Sequence, residues 1–202
     1  MDRSSERQWA AWLAQRALGA LAALCASAVL AACDAPKAAL AQGPEGIVME
    51  VHSSAFAAHG EIPTRCTCEG SDTSPPLAWS GLPQGTKTLA LIVDDPDAPD
   101  PAAPRMTWVH WVLFNLPPAP AVLPEGVKAL PLRAQQGLND WKRLGYGGPC
   151  PPIGRHRYFH KLYALDTELE LERPTKADLE KAMEGHVLAK AELIGTYQKK
   201  KH

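Results

Sequence analysis

The chain has 202 residues, 21 basic and 22 acidic side chains, a formal charge of −1 and a pI near 6.6. That balance excludes a nucleic-acid partner, which would call for a basic face. The length, once a leader is removed, suits one domain with a real core, and the body shows no repeat or low-complexity block.

In chain order, the N-terminus comes first. Arg3, Arg7 and Arg16 precede an uncharged run from Ala17 to Ala32. The run has secretory length and falls short of the ~20 apolar residues of a membrane span. It closes on Leu30-Ala31-Ala32-Cys33, which resembles a bacterial lipobox. The expectation is a signal peptide over 1–32, an acylated Cys33, a tether over 33–46 and a domain over 47–202. The chain would then be exported to the bacterial cell envelope and anchored in a membrane facing the periplasm. The alternative is an ordinary signal peptide cut elsewhere, for instance after Ala41, with Cys33 discarded.

Cys66, Cys68 and Cys150 remain in the body. In an oxidising compartment they allow one disulfide and one free thiol, and they equally read as three small buried hydrophobes. Cys66-Thr67-Cys68 is no metal pattern, because no second pair answers it.

Ile47–His52 reads as a strand, and Leu89–Val93 as a short buried one. Thr107–Leu116 alternates, with Trp108, His110, Val112 and Phe114 predicted on one face and Val109, Trp111 and Leu113 on the other. Arg157–Leu165 alternates too, with His156, Tyr158, His160 and Leu162 sharing a side. Pro- and Gly-rich turns separate these runs, as in an antiparallel sandwich. Pro174-Thr175-Lys176-Ala177-Asp178 opens a helix with Thr175 as N-cap, and it stops near Gly185. A second helix is predicted from about His186, spacing Leu188, Ala191 and Ile194 along one side. The fold class is α+β, mainly β, with a β-sandwich body and short C-terminal helices.

Three polar groups interrupt the apolar strands: Asp94-Asp95-Pro96-Asp97, His110, and His156 with Tyr158. Each also has a structural explanation, since Asp before Pro forms turns and a lone strand His is commonly a satisfied core residue. The loop Gly145–Pro152 favours function. Its glycines would let backbone N–H groups reach a ligand, and its prolines would hold the shape. Such a loop beside two His, a Tyr and an Asp has the composition of a small anion pocket.

The motifs Asp95-Pro96-Asp97-Ala98-Pro99 and Trp108-Val109-His110-Trp111, then Gly145-Tyr146-Gly147-Gly148-Pro149-Cys150-Pro151-Pro152 and His156-Arg157-Tyr158, resemble the phosphatidylethanolamine-binding family in its bacterial Raf-kinase-inhibitor-like branch. The likeness extends from about Ile47 to Tyr197. It implies a Greek-key β-sandwich with C-terminal helices and a pocket for a phosphate-like anion. Asp95, His110, His156 and Tyr158 match the family's pocket side chains, with Asp95 orienting one His. Gly148, Pro151 and Pro152 match the walling loop, and Asp97 and Trp108 match supporting positions. In this fold the loop bearing Cys68 approaches the pocket rim, so the resemblance pairs Cys68 with Cys150. His160 departs from the family, which usually has an aromatic there.

The resulting expectation is a binding protein for a small anion or phosphorylated ligand, such as a phospholipid head group, with no cofactor and no metal. A protein-interaction module inhibiting an envelope protease or other signalling partner is the alternative. Catalysis is the third reading: Asp95, His110 and His156 are the ligand types of a two-His, one-carboxylate metal site, but no nucleophile elbow or HExxH supports hydrolysis.

Overall fold

The structure, a computed structural model, describes residues 48–200. The expected leader, Cys33 and the tether to residue 46 lie outside the described residues.

The described residues form eight strands, one helix and a short 3-10 turn (Thr64–Cys66). β1 (Glu50–His52), β2 (Leu77–Ser80) and β5 (Val122–Leu123) form a small sheet in the order β1-β2-β5. β3 (Thr88–Ala98), β4 (Met106–Leu116), β6 (Gln135–Gln136), β7 (His156–Leu165) and β8 (Val187–Tyr197) form a larger one in the order β6-β4-β3-β7-β8. All these pairings are antiparallel. Within the large sheet β3, β4 and β6 neighbour in turn and β7 returns beside β3, which is Greek-key order.

Each face of the large sheet buries its own core. Leu89, Leu91, Val93, Trp111, Leu113, Leu162 and Leu193 pack with Leu77, Trp79 and Leu123 of the small sheet. On the opposite face Ala90, Ile92, Val112 and Phe114 pack against Leu179 and Met183. Those two come from the helix α1 (Lys176–Ala182) and its C-cap. α1 opens on a complete capping box: the Thr175 hydroxyl accepts from the Asp178 N–H, and the Asp178 carboxylate accepts from the Thr175 N–H.

The mainly β, sandwich-bodied fold is the predicted one, with two corrections. The predicted second helix is β8. Its buried residues fall at Ala191, Leu193, Gly195 and Tyr197, a period of two that the Leu188/Ala191/Ile194 spacing conceals. The strand pairs along the whole length of β7, whose edge would otherwise present unpaired backbone groups. Gly195 is required there, because a Cβ would meet Ile62 Cγ1 at 2.6 Å and Phe56 Cε2 at 2.8 Å.

The second correction concerns β4. Val93 pairs with Trp111 but Asp94 pairs with Val109, so His110 is an extra residue in a β-bulge. The bulge inverts the alternation. Val109 joins Val112 and Phe114 on the helix side. Trp108 and His110 turn to the other side, where they line a cavity with Asp95.

Candidate ligand-binding site

Where β3 and β4 end and the 147–156 loop crosses them, the sheet leaves a cavity of about 440 Å³. Its floor is polar: Asp95, His110 and His156. Its walls are apolar, with Met106, Trp108, Trp141, Pro99, Pro151 and Pro152, and no Lys or Arg lines it.

The floor is organised by hydrogen bonds that span the chain. Asp95 Oδ1 accepts the Asp97 N–H at 2.8 Å, and Asp95 Oδ2 lies 2.7 Å from His156 Nδ1. His156 Nε2 lies 2.9 Å from the Ile153 carbonyl. Both ring nitrogens of His156 are engaged, one by a carboxylate and one by a backbone carbonyl. Asp95 thus orients one His, and that His is committed to the protein on both sides. The two nitrogens of His156 fasten the floor to the cavity wall, and the residue lines the cavity.

His110 is different. The bulge presses its ring against the loop, where Nδ1–H donates to the Gly147 carbonyl at 2.6 Å. A carbonyl can only accept, so the proton sits on Nδ1 and Nε2 carries a lone pair. Burial pushes the imidazole below its usual pKa, with the Gly147 carbonyl and the Asp95 charge opposing. The ring is held edge-on by Trp141 and Tyr158, each at 5.2 Å between centroids. Among the described residues, His110 is the floor group with a ring nitrogen that no protein group engages.

Tyr158 lies beneath the floor, outside the lining. Its ring is buried, and Oη has no hydrogen-bond partner among the described residues. Burial and the nearby Asp95 carboxylate push its phenol upward. Asp97 is clamped by Arg157, with Nη2 at 2.7 Å and Nε at 2.9 Å, which holds its carboxyl below the usual range. Trp108 packs edge to face on Trp141 at 5.4 Å.

Gly148 seats the loop on the protein. Its N–H donates to Asp72 Oδ1 at 2.6 Å, and the Gly147 N–H donates to the His110 carbonyl at 3.1 Å. A Cβ at Gly148 would lie 2.4 Å from the Cys66 carbonyl oxygen, so glycine is needed for the loop to seat on the 3-10 turn. The same contact brings the cysteines together: Cys68 and Cys150 are disulfide-bonded with Cα atoms 5.4 Å apart, and Cys66 is a buried free thiol. His160 is away from the cavity, in the core 5.4 Å from Phe56.

Sequence reasoning missed Met106 and Trp141. Trp141 is set by Asn139, whose Oδ1 accepts the Trp141 and Arg143 N–H groups and whose Nδ2 donates to the Gly145 carbonyl. Asp140 Oδ2 accepts the Val109 N–H at 2.7 Å, tying this turn to β4 beside the bulge. The Asn-Asp pair before a Trp was the available signal, as turn formers placing an aromatic next to a glycine loop. Among the described residues no group of three or more His, Cys, Asp or Glu is arranged to hold a metal ion.

Residues 52–198 match the family model for phosphatidylethanolamine-binding protein. A UPF0098 protein of Methanothermobacter thermautotrophicus is 52% identical over 155 residues, covering 75% of this chain and 99% of the relative. The phosphatidylethanolamine-binding protein homolog CT736 of Chlamydia trachomatis superposes with a TM-score of 0.71 at 43% identity, covering 76% of this chain and 99% of that one. E. coli YbcL, described as a member of the mammalian family, gives 0.68 at 34% identity, covering 75% and 99%. With the matched region running from β1 to just past β8, the chain belongs to the phosphatidylethanolamine-binding protein family.

Proposed function

We propose that this chain is an exported lipoprotein that binds a small anionic or phosphorylated ligand, of the phospholipid head-group type, through His110. The observation that carries the reading is a cavity with apolar walls and one uncommitted imidazole nitrogen on its floor. At about 440 Å³ it has room for a head group and a short stretch of attached chain, not for whole acyl chains. The family's name, which gives a phosphorylated amphiphile as ligand, points the same way.

The chemistry is proton-coupled. Neutral His110 presents an acceptor, and an anion oxygen needs a donor, so binding takes up one proton at Nε2. The free imidazole is held below its usual pKa and a bound anion would raise it, so affinity rises as pH falls through the histidine range. Sulfate, whose charge is fixed in that range, is the probe. Calorimetry at several pH values should show affinity increasing toward acid for the wild type, and most of both affinity and slope lost in His110→Ala. Affinity that is flat with pH and unchanged in His110→Ala would remove the reading. Export and anchoring rest on residues 1–33; a fatty-acid analogue should label the wild type in cells and miss Cys33→Ser.

A further inference from the structure

Cys150 belongs to two hollows. On one side it lines the 440 Å³ cavity next to Pro151 and Pro152; on the other it lines an open cleft of about 500 Å³ together with Cys68, Lys199 and Lys200. The Cys68–Cys150 bond is the partition between them, and both half-cystines are exposed.

Up to Pro149 the loop is fastened without this bond. Gly147 and His110 exchange two hydrogen bonds, Gly148 N–H donates to Asp72, Tyr146 O–H donates to the Cys66 carbonyl, and Cys68 N–H donates to the Pro149 carbonyl. Beyond Pro149 the fastenings thin out. Pro151 and Pro152 have no N–H, and the described backbone hydrogen bonds include none donated from Cys150 to Gly154. This stretch is the cavity wall. It is held by the disulfide at one end and by the His156 contact to the Ile153 carbonyl at the other.

The cleft side is suited to an attacking thiolate. Lys199 and Lys200 edge it, and the tail that carries them is pinned: Glu69 accepts from Tyr197 Oη and from the Lys200 N–H. Ammonium groups beside a disulfide favour both the incoming and the departing thiolate.

We propose that Cys68–Cys150 is a thiol-exchange site at which a dithiol reductant opens the wall of the ligand cavity. A thiolate of the dithiol attacks one sulfur, the S–S bond breaks, and the other cysteine leaves as a thiolate that takes a proton. The second thiol of the reductant then attacks its own sulfur in the mixed disulfide and releases the remaining cysteine. Two electrons and two protons pass to the protein, and the dithiol becomes a disulfide. Cys66 stays out of the exchange, since burial pushes its thiol up to about 11. With the bond gone, Cys150–Pro152 is free to swing away about the His156 contact to Ile153 while Asp95, His110 and the Gly145–Pro149 fastenings remain, so the ligand is released from an intact floor. That last consequence rests on the proposed binding function; the opening of the wall does not.

The test compares the full chain oxidised and under dithiothreitol by NMR relaxation and sulfate calorimetry. Order parameters of the Cys150 and Ile153 amides should fall from the roughly 0.85 of rigid backbone to about 0.6 or below when reduced, with β4 and β7 unchanged, and sulfate affinity should fall several-fold. Cys150→Ser should behave as the reduced protein with or without reductant, and Cys68→Ser should do the same. Replacing Lys199 and Lys200 by Ala should slow reduction by anionic glutathione more than by neutral mercaptoethanol. Unchanged order parameters at Cys150 and Ile153 would overturn the proposal, and so would a fall in every strand, which would make the bond a staple of the whole fold. If the oxidised protein binds no sulfate while the wall still loosens on reduction, the anion reading fails and the exchange site stands.

Discussion

On β7, His160 carries an imidazole into the core beside Phe56, with neither ring nitrogen hydrogen-bonded among the described residues. Burial pushes its pKa down to about 4, against the backbone of Tyr158 and Leu193. The unfolded chain, with an ordinary histidine near ~6.5, binds the proton first, so stability falls as pH drops from about 6.5 toward 4. The shift corresponds to a loss on the order of 3 kcal/mol across that window. His160→Phe should raise the melting temperature at every pH and by more at pH 5 than at pH 8. A gain that does not widen toward acid would contradict this. Gly148→Ala tests a different residue-scale demand. Its methyl would lie 2.4 Å from the Cys66 carbonyl oxygen and 2.5 Å from Asp72 Oδ1, so the loop must lift off the 3-10 turn. Overpacking of this kind costs roughly 1–3 kcal/mol, read as a lower urea midpoint.

At the scale of elements, α1 poses the question of why a seven-residue helix forms at all. Alone it is too short to be stable in water. The capping box starts it, and Leu179 and Met183 bury against the sheet. Asp94 then fixes its place. This carboxylate is fully buried on β3; Lys176 of α1 reaches it at 2.5 Å, and Lys161 of β7 lies 2.8 Å from both of its oxygens. One buried charge thus ties helix, central strand and neighbour strand. Asp94→Ala leaves the largely buried ammonium of Lys161 without this counter-charge and that of Lys176 with only Glu180, 3.7 Å away. The expected loss is roughly 2–4 kcal/mol in urea unfolding, at the lower part of the range for broken buried pairs because both lysines keep some contact with water. Lys176→Met should cost less, since Lys161 still neutralises Asp94. Equal losses in the two variants would show that the helix is not held through this carboxylate.

At the scale of the molecule, the segment after Leu171 closes both cores. β8 pairs with all of β7 and places Ala191, Leu193 and Tyr197 between the sheets, while α1 covers the far side. Removing residues after Leu171 therefore strips a strand from the edge, a helix from the face and several buried side chains worth ~2 kcal/mol each, a sum comparable to the whole stability of a domain. The truncated chain should be insoluble or lack a cooperative thermal transition. A soluble product that melts sharply would show that the five-stranded sheet stands without its last strand.

What the sequence alone determined was whatever depends on local pattern and residue type. The alternation after Arg157 put His156, Tyr158, His160 and Leu162 on one inward face, and they are buried together. Thr175 and Asp178 announced α1, and Asp95, His110 and His156 stood out as polar groups in apolar strands. Tertiary structure decided the rest. The bulge at His110 exists because β3 pairs with β4 in two registers, and no periodicity within β4 carries that information. β8 is a strand because β7 offers it an edge, against a spacing that suits a helix equally well. Which imidazole is left to meet a ligand depends on partners far along the chain, Asp95 61 residues before His156 and Gly147 37 residues after His110. A side chain's chemistry is written in its residue type; its unspent hydrogen-bonding capacity is known only once the fold has assigned the other donors and acceptors.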